Sequence, residues 1–216
     1  MRNMEQARFN MLEQQIRPWD VLDNKVLDLM KRIKREQFAP ADKQALALMD
    51  MELPLGHGAS MWYPKVEARA LQALTPRKGE TVLEIGTGSG YMTALLASTA
   101  SHVTSVEIVP ELHEQARRNL AAQPFENIEL CVGDGGRGWQ GQYDVVLVGG
   151  SLPMLTDAFT GLLKVGGRMF VAVGQDASMK ALLVSCVAPG IFERTELFET
   201  ALTPLQNAET PSKFTF

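Results

Sequence analysis

The sequence predicts an α/β fold in which a doubly wound, mostly parallel sheet of seven strands carries an N-terminal helical appendage. The first observation is a strand–glycine–helix unit: Val82 to Ile85 is typical of a buried strand, three glycines at alternate positions follow at once, and Tyr91 to Ala97 is typical of a helix. The second is that strand-like and helical segments alternate through the rest of the chain, which favours parallel strands joined by helices. Ligands of such sheets bind at the carboxyl ends of the strands.

Helical segments are predicted before the sheet. Residues 4–16 can form a helix that Pro18 ends, and a second helix begins at Asp23, a side chain suited to capping. A third, short helix is expected over residues 41–50. These segments make residues 1–60 a helical appendage that covers part of the sheet.

A loop and a helix then connect the appendage to the first strand. The predicted loop, residues 55–64, contains two glycines and ends in Pro64, which suits the first turn of a helix over residues 65–74. Residues 61–216 are expected to form the ligand-binding domain, and the two parts to make one structural unit.

The remaining strands follow in a regular order. They are predicted at residues 102–108, 128–132, 143–148, 168–173, 180–188 and 191–202. Helices are predicted at 110–121 and 154–163, with glycine turns at 149–151 and 166–167. Pro189-Gly190 separates the last two strands by a tight turn, so these strands should pair antiparallel.

Composition excludes several classes of protein. The 216 residues, 45% of them hydrophobic, suffice for one sizeable core but not for two full domains. A net charge of −4 without a basic stripe speaks against nucleic acid as a partner, and no apolar run is long enough for a membrane helix. Cys131 and Cys186 lie in apolar segments and the polar N-terminus shows no signal peptide, so a cytoplasmic protein is expected. The sequence does not indicate an oligomeric state.

The spacing of the glycine loop, residues 86–90, indicates its ligand. A nicotinamide fingerprint is G-x-G-x-x-G and a phosphate loop ends in Gly-Lys-Ser/Thr, whereas this loop has G-x-G-x-G with a glutamate two residues before it. A carboxylate there would repel a pyrophosphate and suit an ammonium group. S-adenosylmethionine carries an ammonium, a sulfonium and a single carboxylate, and E-x-G-x-G-x-G resembles motif I of the class I methyltransferases. The predicted cofactor contacts in this stretch are Glu84, Gly86, Thr87, Gly88 and Gly90.

Acidic residues also end the next two strands. Glu107, followed by Ile108, is placed to accept hydrogen bonds from ribose hydroxyls, and the alternative is a solvent-facing glutamate at a strand end. Asp134, between Gly133 and Gly135, is placed to accept a bond from an adenine amino group, and the alternative is an ordinary turn aspartate. Together with the glycine loop, these residues predict a cofactor site.

The order and spacing of many segments resemble the protein-L-isoaspartate O-methyltransferases over residues 10–205. The similar segments are Val26-Leu27, Arg35-Glu36-Gln37-Phe38, Leu55-Gly56-His57-Gly58, Val82 to Ala97, Val106-Glu107, Gly133-Asp134-Gly135 with Trp139, Tyr143-Asp144 and Gly166-Gly167-Arg168. The resemblance implies a class I methyltransferase fold, S-adenosylmethionine as cofactor, and methylation of the free carboxylate of isoaspartyl residues, which starts the repair of damaged proteins.

The part of the chain that would meet the acceptor departs from this family. The family loop usually has Gly-Gln-Thr-Ile-Ser, where residues 58–62 are Gly-Ala-Ser-Met-Trp. Ser60 keeps a hydroxyl and is a candidate active-site residue, whereas Trp62 replaces the serine usually assigned to the active site. The arginine of the family segment Val-Arg-Phe-Val-Pro-Leu is Ala201 here. Because an indole fills space and offers a single donor, these changes predict weak or absent activity on isoaspartyl peptides.

Three hypotheses about the acceptor follow from the sequence. The protein methylates isoaspartyl carboxylates of proteins or peptides, or it methylates another acceptor such as a small molecule, or it binds the cofactor without catalysis and acts through its N-terminal helices. A carboxylate acceptor is ionised at neutral pH and needs no general base. An amine or phenol would need one, and His57 is the nearest candidate. His57 has no second ligand at metal-site spacing, so no metal is expected.

Overall fold

The computed structural model describes residues 2–175 and 178–211, which form a central sheet with flanking helices. The strands are β1 (Leu53–Gly56), β2 (Ala59–Met61), β3 (Thr81–Ile85), β4 (His102–Glu107), β5 (Ile128–Val132), β6 (Tyr143–Leu152), β7 (Leu163–Val173), β8 (Lys180–Ala188) and β9 (Ile191–Glu199). The α-helices are α1 (Arg2–Asn10), α2 (Asn24–Arg32), α3 (Pro64–Leu74), α4 (Tyr91–Ala97), α5 (Pro110–Ala121) and α6 (Asp157–Thr160).

The order of the strands places a crevice beyond the carboxyl ends of two central strands, β3 and β6. Within the described residues the main sheet has seven strands in the order β5-β4-β3-β6-β7-β8-β9. The first five are parallel, β8 pairs antiparallel with β7, and β9 pairs antiparallel with β8. The predicted doubly wound, mostly parallel sheet and its antiparallel end are therefore confirmed. Chain order reverses between β3 and β6, and such a reversal opens a ligand crevice beyond the carboxyl ends of the strands.

One of the two hydrophobic clusters of the described residues joins the N-terminal helices to the sheet. Met11 and Ile16 from the N-terminal segment belong to the same buried cluster as Leu71 of α3, Val82 of β3 and Phe170 of β7. Because burying a large apolar side chain stabilises by about 1.5–3 kcal/mol, the appendage contributes to the stability of the whole chain. The division at residue 60 stays a prediction, and the strands β1 and β2 run across it.

Residues 53–61 form an antiparallel hairpin, where the sequence analysis predicted a loop. Leu53 pairs with Met61, and the chain reverses at His57 and Gly58, whose φ angles are +53° and +78°. Two successive positive φ values are what a tight two-residue hairpin turn needs. The strands have only four and three residues, which is too short for an alternating period to emerge from the sequence. We call residues 53–61 the N-terminal hairpin.

Two predicted boundaries in the second half of the sheet are wrong. The turn expected at residues 149–151 lies inside β6, and the helix expected at 154–163 is reduced to α6, with β7 already beginning at Leu163. The turn expected at residues 166–167 is wrong as well, because it lies inside β7. Glycines misled both turn predictions, since here they permit close backbone approach inside paired strands. A Cβ on Gly167 would lie 2.9 Å from the carbonyl oxygen of Tyr143 on the neighbouring strand.

Smaller differences concern the helices and the last strand. The segment predicted as one helix over 4–16 is α1 followed by a wider π-helical stretch, Met11–Ile16. The third helix is a shorter 3-10 segment, Ala41–Leu46, and the last strand ends at Glu199.

Candidate active site

A cleft opens at the carboxyl ends of β3 and β6, where the strand order reverses. Gly86 follows β3 with φ of +92° and lies against Gly149 of β6. A Cβ on Gly149 would be 2.6 Å from the Ile85 carbonyl oxygen, so only glycine allows this approach. The cleft is open to solvent, and its empty space, including the mouth, is about 990 Å³.

Most of the predicted site residues meet in this cleft, although they come from distant parts of the chain. Those that line it are Ser60, Trp62, Gly86, Gly88, Glu107, Ile108, Gly133, Asp134 and Gly135. The other three, Glu84, Thr87 and Gly90, lie outside the lining.

Glu107 connects the end of β4 to the glycine loop. Its side chain is only 5% exposed, and one carboxylate oxygen accepts from the backbone N–H of Gly88 at 2.8 Å while the other accepts from that of Val109 at 3.0 Å. A carboxylate oxygen has two lone pairs, so each keeps one for a further donor. Glu107 therefore both fixes the loop and retains acceptor capacity at the cleft.

Asp134 stabilises the turn after β5. One carboxylate oxygen accepts from the Gly136 N–H at 2.8 Å and the other from the Asn207 side-chain amide at 2.8 Å. The first bond is the local turn contact typical of aspartate. The second bond joins the turn to the C-terminal segment across the cleft.

Glu84 and Thr87 belong to a sealed polar network beside the loop. The Glu84 carboxylate is 1% exposed and accepts from the hydroxyls of Ser105 at 2.6 Å and Thr93 at 2.5 Å. The Thr87 hydroxyl shares a 2.6 Å bond with the same Ser105 hydroxyl. Burial raises the pKa of Glu84 to about 7, since the two hydroxyl bonds only partly offset the loss of water. Both residues line a smaller cavity that also touches Gly86.

Gly90 allows α4 and α5 to pack closely. It begins α4 with φ of +83°, and a Cβ there would lie 3.2 Å from atoms of the Leu120 side chain on α5. Its contact with the cofactor stays a prediction.

The N-terminal hairpin forms the wall opposite the strand ends and is anchored by a buried ion pair. Arg35 is fully buried and bonds to the Glu67 carboxylate on α3 at 2.8 and 3.2 Å. It also donates to the carbonyl oxygens of Ala47 and Trp62, each at 2.5 Å. Burial raises the pKa of the Glu67 carboxyl, and the Arg35 charge opposes that rise. One guanidinium thus holds the end of the hairpin against the appendage and α3.

The indole of Trp62 lies mostly in the core. Its side chain is 8% exposed, and its ring packs on Phe170 of β7 with 6.0 Å between ring centroids. Because so little of its surface is exposed, Trp62 takes up less of the cleft than its size alone implied.

Sequence reasoning missed two parts of the lining. Glu52, directly before β1, carries no local pattern that separates it from a surface glutamate. Residues 203–206, which we call the C-terminal strap, lie beside the end of β6, where the Ser151 N–H donates to Thr203 and the Leu205 N–H donates to Ser151. Pro204-Leu205, which matches the Pro-Leu of the family's C-terminal segment, was the signal that could have revealed the strap.

Other site types find no support in the described part of the chain. Among residues 2–175 and 178–211, no group of three or more His, Cys, Asp or Glu side chains is arranged to hold a metal ion. Every helix described is too short or too polar to cross a membrane.

The sequence and the fold have counterparts among known proteins. The model of the family "Protein-L-isoaspartate(D-aspartate) O-methyltransferase (PCMT)" matches residues 6–210. The chain is similar to a protein-L-isoaspartate O-methyltransferase of Myxococcus xanthus, with 42% identity over 76% of this chain and 78% of the relative. It is similar to protein-L-isoaspartate O-methyltransferase 2 of Marinobacter nauticus, with 34% identity over 96% of each chain.

A solved structure shares the fold. It is a putative protein-L-isoaspartate O-methyltransferase of Plasmodium falciparum in complex with S-adenosyl-L-homocysteine, with a TM-score of 0.77 and 18% identity over 91% of this chain and 97% of that one. The family match spans nearly the whole chain and includes both the glycine loop and the N-terminal hairpin. The chain therefore belongs to the protein-L-isoaspartate(D-aspartate) O-methyltransferase family, a family of S-adenosylmethionine-dependent methyltransferases.

Proposed function

We propose that the protein transfers a methyl group from S-adenosylmethionine to the free carboxylate of isoaspartyl residues in peptides and proteins. The observation that carries this proposal is one cleft, in a member of this family, that joins the glycine loop and strand-end carboxylates to a hydroxyl-bearing hairpin. The repair of damaged proteins is the corresponding biological role.

The cofactor half of the cleft suits S-adenosylmethionine, which supplies an electrophilic methyl group when bound. We assign the ribose hydroxyls to the free lone pairs of Glu107, with Ile108 beside them, and the adenine edge to Asp134 and its glycine neighbours. Glu84 and Thr87 support the glycine loop through Ser105. Among the lining residues of the described chain there are carboxylates and no Lys or Arg, which favours a cationic ligand over a pyrophosphate.

The acceptor half has to position a carboxylate and does not have to deprotonate it. A carboxylate with a pKa of about 3.9 is already ionised at neutral pH, so the reaction needs no general base. Holding donor and acceptor in line can supply about 7–11 kcal/mol of the barrier. We propose that the Ser60 hydroxyl donates to the acceptor and that the edge of Trp62 bounds it.

The weak or absent activity on isoaspartyl peptides that Ala59, Trp62 and Ala201 predict stays a prediction, and robust turnover by the wild type would refute it. The changes Ala59→Gln and Trp62→Ser would return an amide and a second hydroxyl to the hairpin, and they should raise kcat/KM for an isoaspartyl peptide if the loop limits the rate. Because Trp62 packs in the core, its replacement leaves a cavity that costs about 3–5 kcal/mol. Assays should therefore run well below the Tm of the double variant, with Ala59→Gln alone as the variant that spares the core. No gain in either variant would point to the alanine at 201, or to an acceptor of another kind.

A cytoplasmic location is part of this proposal. Cys131 and Cys186 are both free thiols, and this proposal takes them to be kept reduced by the compartment. The acceptor is then a cytoplasmic protein or peptide that has formed isoaspartyl linkages.

A further inference from the structure

Among the described residues, every charged side chain that lines the cleft is acidic. They are Glu52, Glu107 and Asp134, and no Lys or Arg joins them. Glu107 and Asp134 each accept backbone N–H bonds. In contrast, none of the hydrogen bonds or ion pairs found within residues 2–175 and 178–211 involves the Glu52 side chain. Glu52 is therefore the cleft carboxylate that has no hydrogen-bond or ion-pair partner among the described residues.

Glu52 lies at the acceptor end of the cleft. Leu53 pairs with Met61 in the hairpin, so Glu52 lies beside Trp62, and both line the cleft with Ser60. The backbone here is held by Arg35, which donates to the Trp62 carbonyl. Glu52 thus has a fixed position next to the proposed acceptor contact.

The lysines near the hairpin are engaged elsewhere. Lys43 donates to the Pro54 carbonyl at 2.9 Å, and Lys65 pairs with Asp50 at 2.8 Å while lying over the rings of nearby aromatic residues. Neither lysine lines the cleft. Burial raises the pKa of Glu52, the effect expected of a carboxyl that has lost water and gained no cation.

We propose that Glu52 is a specificity-determining residue that selects acceptors with a lysine or arginine side chain beside the isoaspartyl residue. The inference rests on the proposed function and names the acceptor class for the same site. A cationic side chain would give Glu52 the partner it lacks, through a charge-assisted hydrogen bond. An acidic neighbour in the peptide would meet a cleft that offers carboxylates and no cation, and like charges disfavour such a complex.

Three matched isoaspartyl peptides test this inference. They differ only in the residue that follows the isoaspartyl position, which is lysine, norleucine or glutamate. We expect kcat/KM to be about tenfold higher for the lysine peptide than for the norleucine peptide, mostly through KM, and lowest for the glutamate peptide. In Glu52→Gln the three values should converge to within about twofold, and in Glu52→Lys the order should reverse. Glu193→Gln, an equal change of charge on the edge strand β9, should keep the wild-type order.

The outcomes separate this inference from the proposed function. Equal kcat/KM for the three peptides with wild-type protein, or an unchanged order in Glu52→Gln, overturns the role of Glu52 and leaves isoaspartyl methylation standing. If none of the peptides is methylated, the proposed function fails. In that case, the binding of the three peptides is measured by titration against protein loaded with S-adenosylhomocysteine. An affinity that falls from the lysine to the norleucine to the glutamate peptide, in an order that Glu52→Gln abolishes, supports the role of Glu52. Equal affinities for the three peptides overturn it. If Glu52→Lys does not fold, as judged by circular dichroism, the Gln variant decides.

Discussion

Glu107 and Glu84 lie on neighbouring parallel strands, yet only Glu107 reaches the cleft. Glu107 stands at the end of β4, where backbone amides and open space surround it. Glu84 stands inside β3 and is enclosed by hydroxyls. Glu84 was predicted as a cofactor residue from the E-x-G-x-G-x-G motif and Glu107 from its place at the end of a strand. Neither signal tells a residue that contacts the ligand from one that supports the site.

Replacing Glu107 by alanine should weaken cofactor binding. Each charge-assisted bond to a ribose hydroxyl contributes about 1.5–3 kcal/mol, so the Kd for S-adenosylhomocysteine should rise at least tenfold. Calorimetric titration measures this Kd, with NAD as a ligand that should not bind. Glu129→Ala, an exposed acid on the adjacent strand β5, is the matched control. An unchanged Kd in Glu107→Ala would place the ribose elsewhere.

The Glu84 carboxyl should make stability depend on pH. Its pKa rises from 4.5 to about 7 on folding, so the protonated form is favoured in the folded state. The contribution is fully present below pH 4.5 and is lost as pH rises through about 7. Relative to Glu84→Gln, the free energy of unfolding of the wild type should fall by about 2–3 kcal/mol between pH 5 and pH 8. Urea denaturation at several pH values measures this difference, and parallel curves for the two proteins would show that Glu84 keeps an ordinary pKa.

The N-terminal hairpin is the element that brings the proposed acceptor wall to the sheet. It has few residues, and Arg35 holds its end in place through the Trp62 carbonyl and the Glu67 carboxylate. The hairpin could not be predicted because its strands are too short for alternation to emerge and its turn residues are equally typical of a loop. Its neighbour Glu52 could not be predicted as a site residue either, because only the fold brings this glutamate into the cleft.

Replacing Arg35 by methionine should destabilise the protein by about 3–5 kcal/mol, because the Glu67 carboxylate would stay buried without its cation. Chemical denaturation measures the loss. Arg117→Met, in an exposed pair with Glu114 on α5, is the control and should change the stability little, because water screens the attraction between exposed charges.

A double variant identifies which contact of Arg35 matters. If the unpaired charge dominates, Arg35→Met with Glu67→Met should be more stable than Arg35→Met alone. Equal stability of the two would instead attribute the loss to the carbonyl groups of Ala47 and Trp62, which Arg35 also satisfies.

Across the whole molecule, the sheet was more predictable than the cleft. The sheet class followed from two local patterns, the alternation of strands with helices and the strand–glycine–helix unit at 82–97. Its antiparallel end followed from a third, the tight turn at 189–190. The boundaries near Gly149 and Gly167 failed, because glycine that permits close backbone approach in a strand is indistinguishable in sequence from glycine in a turn. The cofactor half of the cleft is built from strand ends and was predicted. The acceptor half joins Glu52, the hairpin and the C-terminal strap, and this assembly exists only in the folded chain.

Methyl transfer to matched peptides tests the proposed function most directly. The protein is incubated with S-adenosylmethionine labelled in its methyl group and with one of two peptides of identical composition, both with a lysine after the test position, one containing isoaspartate and the other aspartate there. We predict label in the isoaspartyl peptide alone, as a methyl ester that base hydrolyses to methanol, and a loss of this signal at the same cofactor concentration in Glu107→Ala. No label in either peptide, equal label in both, or a base-stable product would contradict isoaspartyl carboxyl methylation.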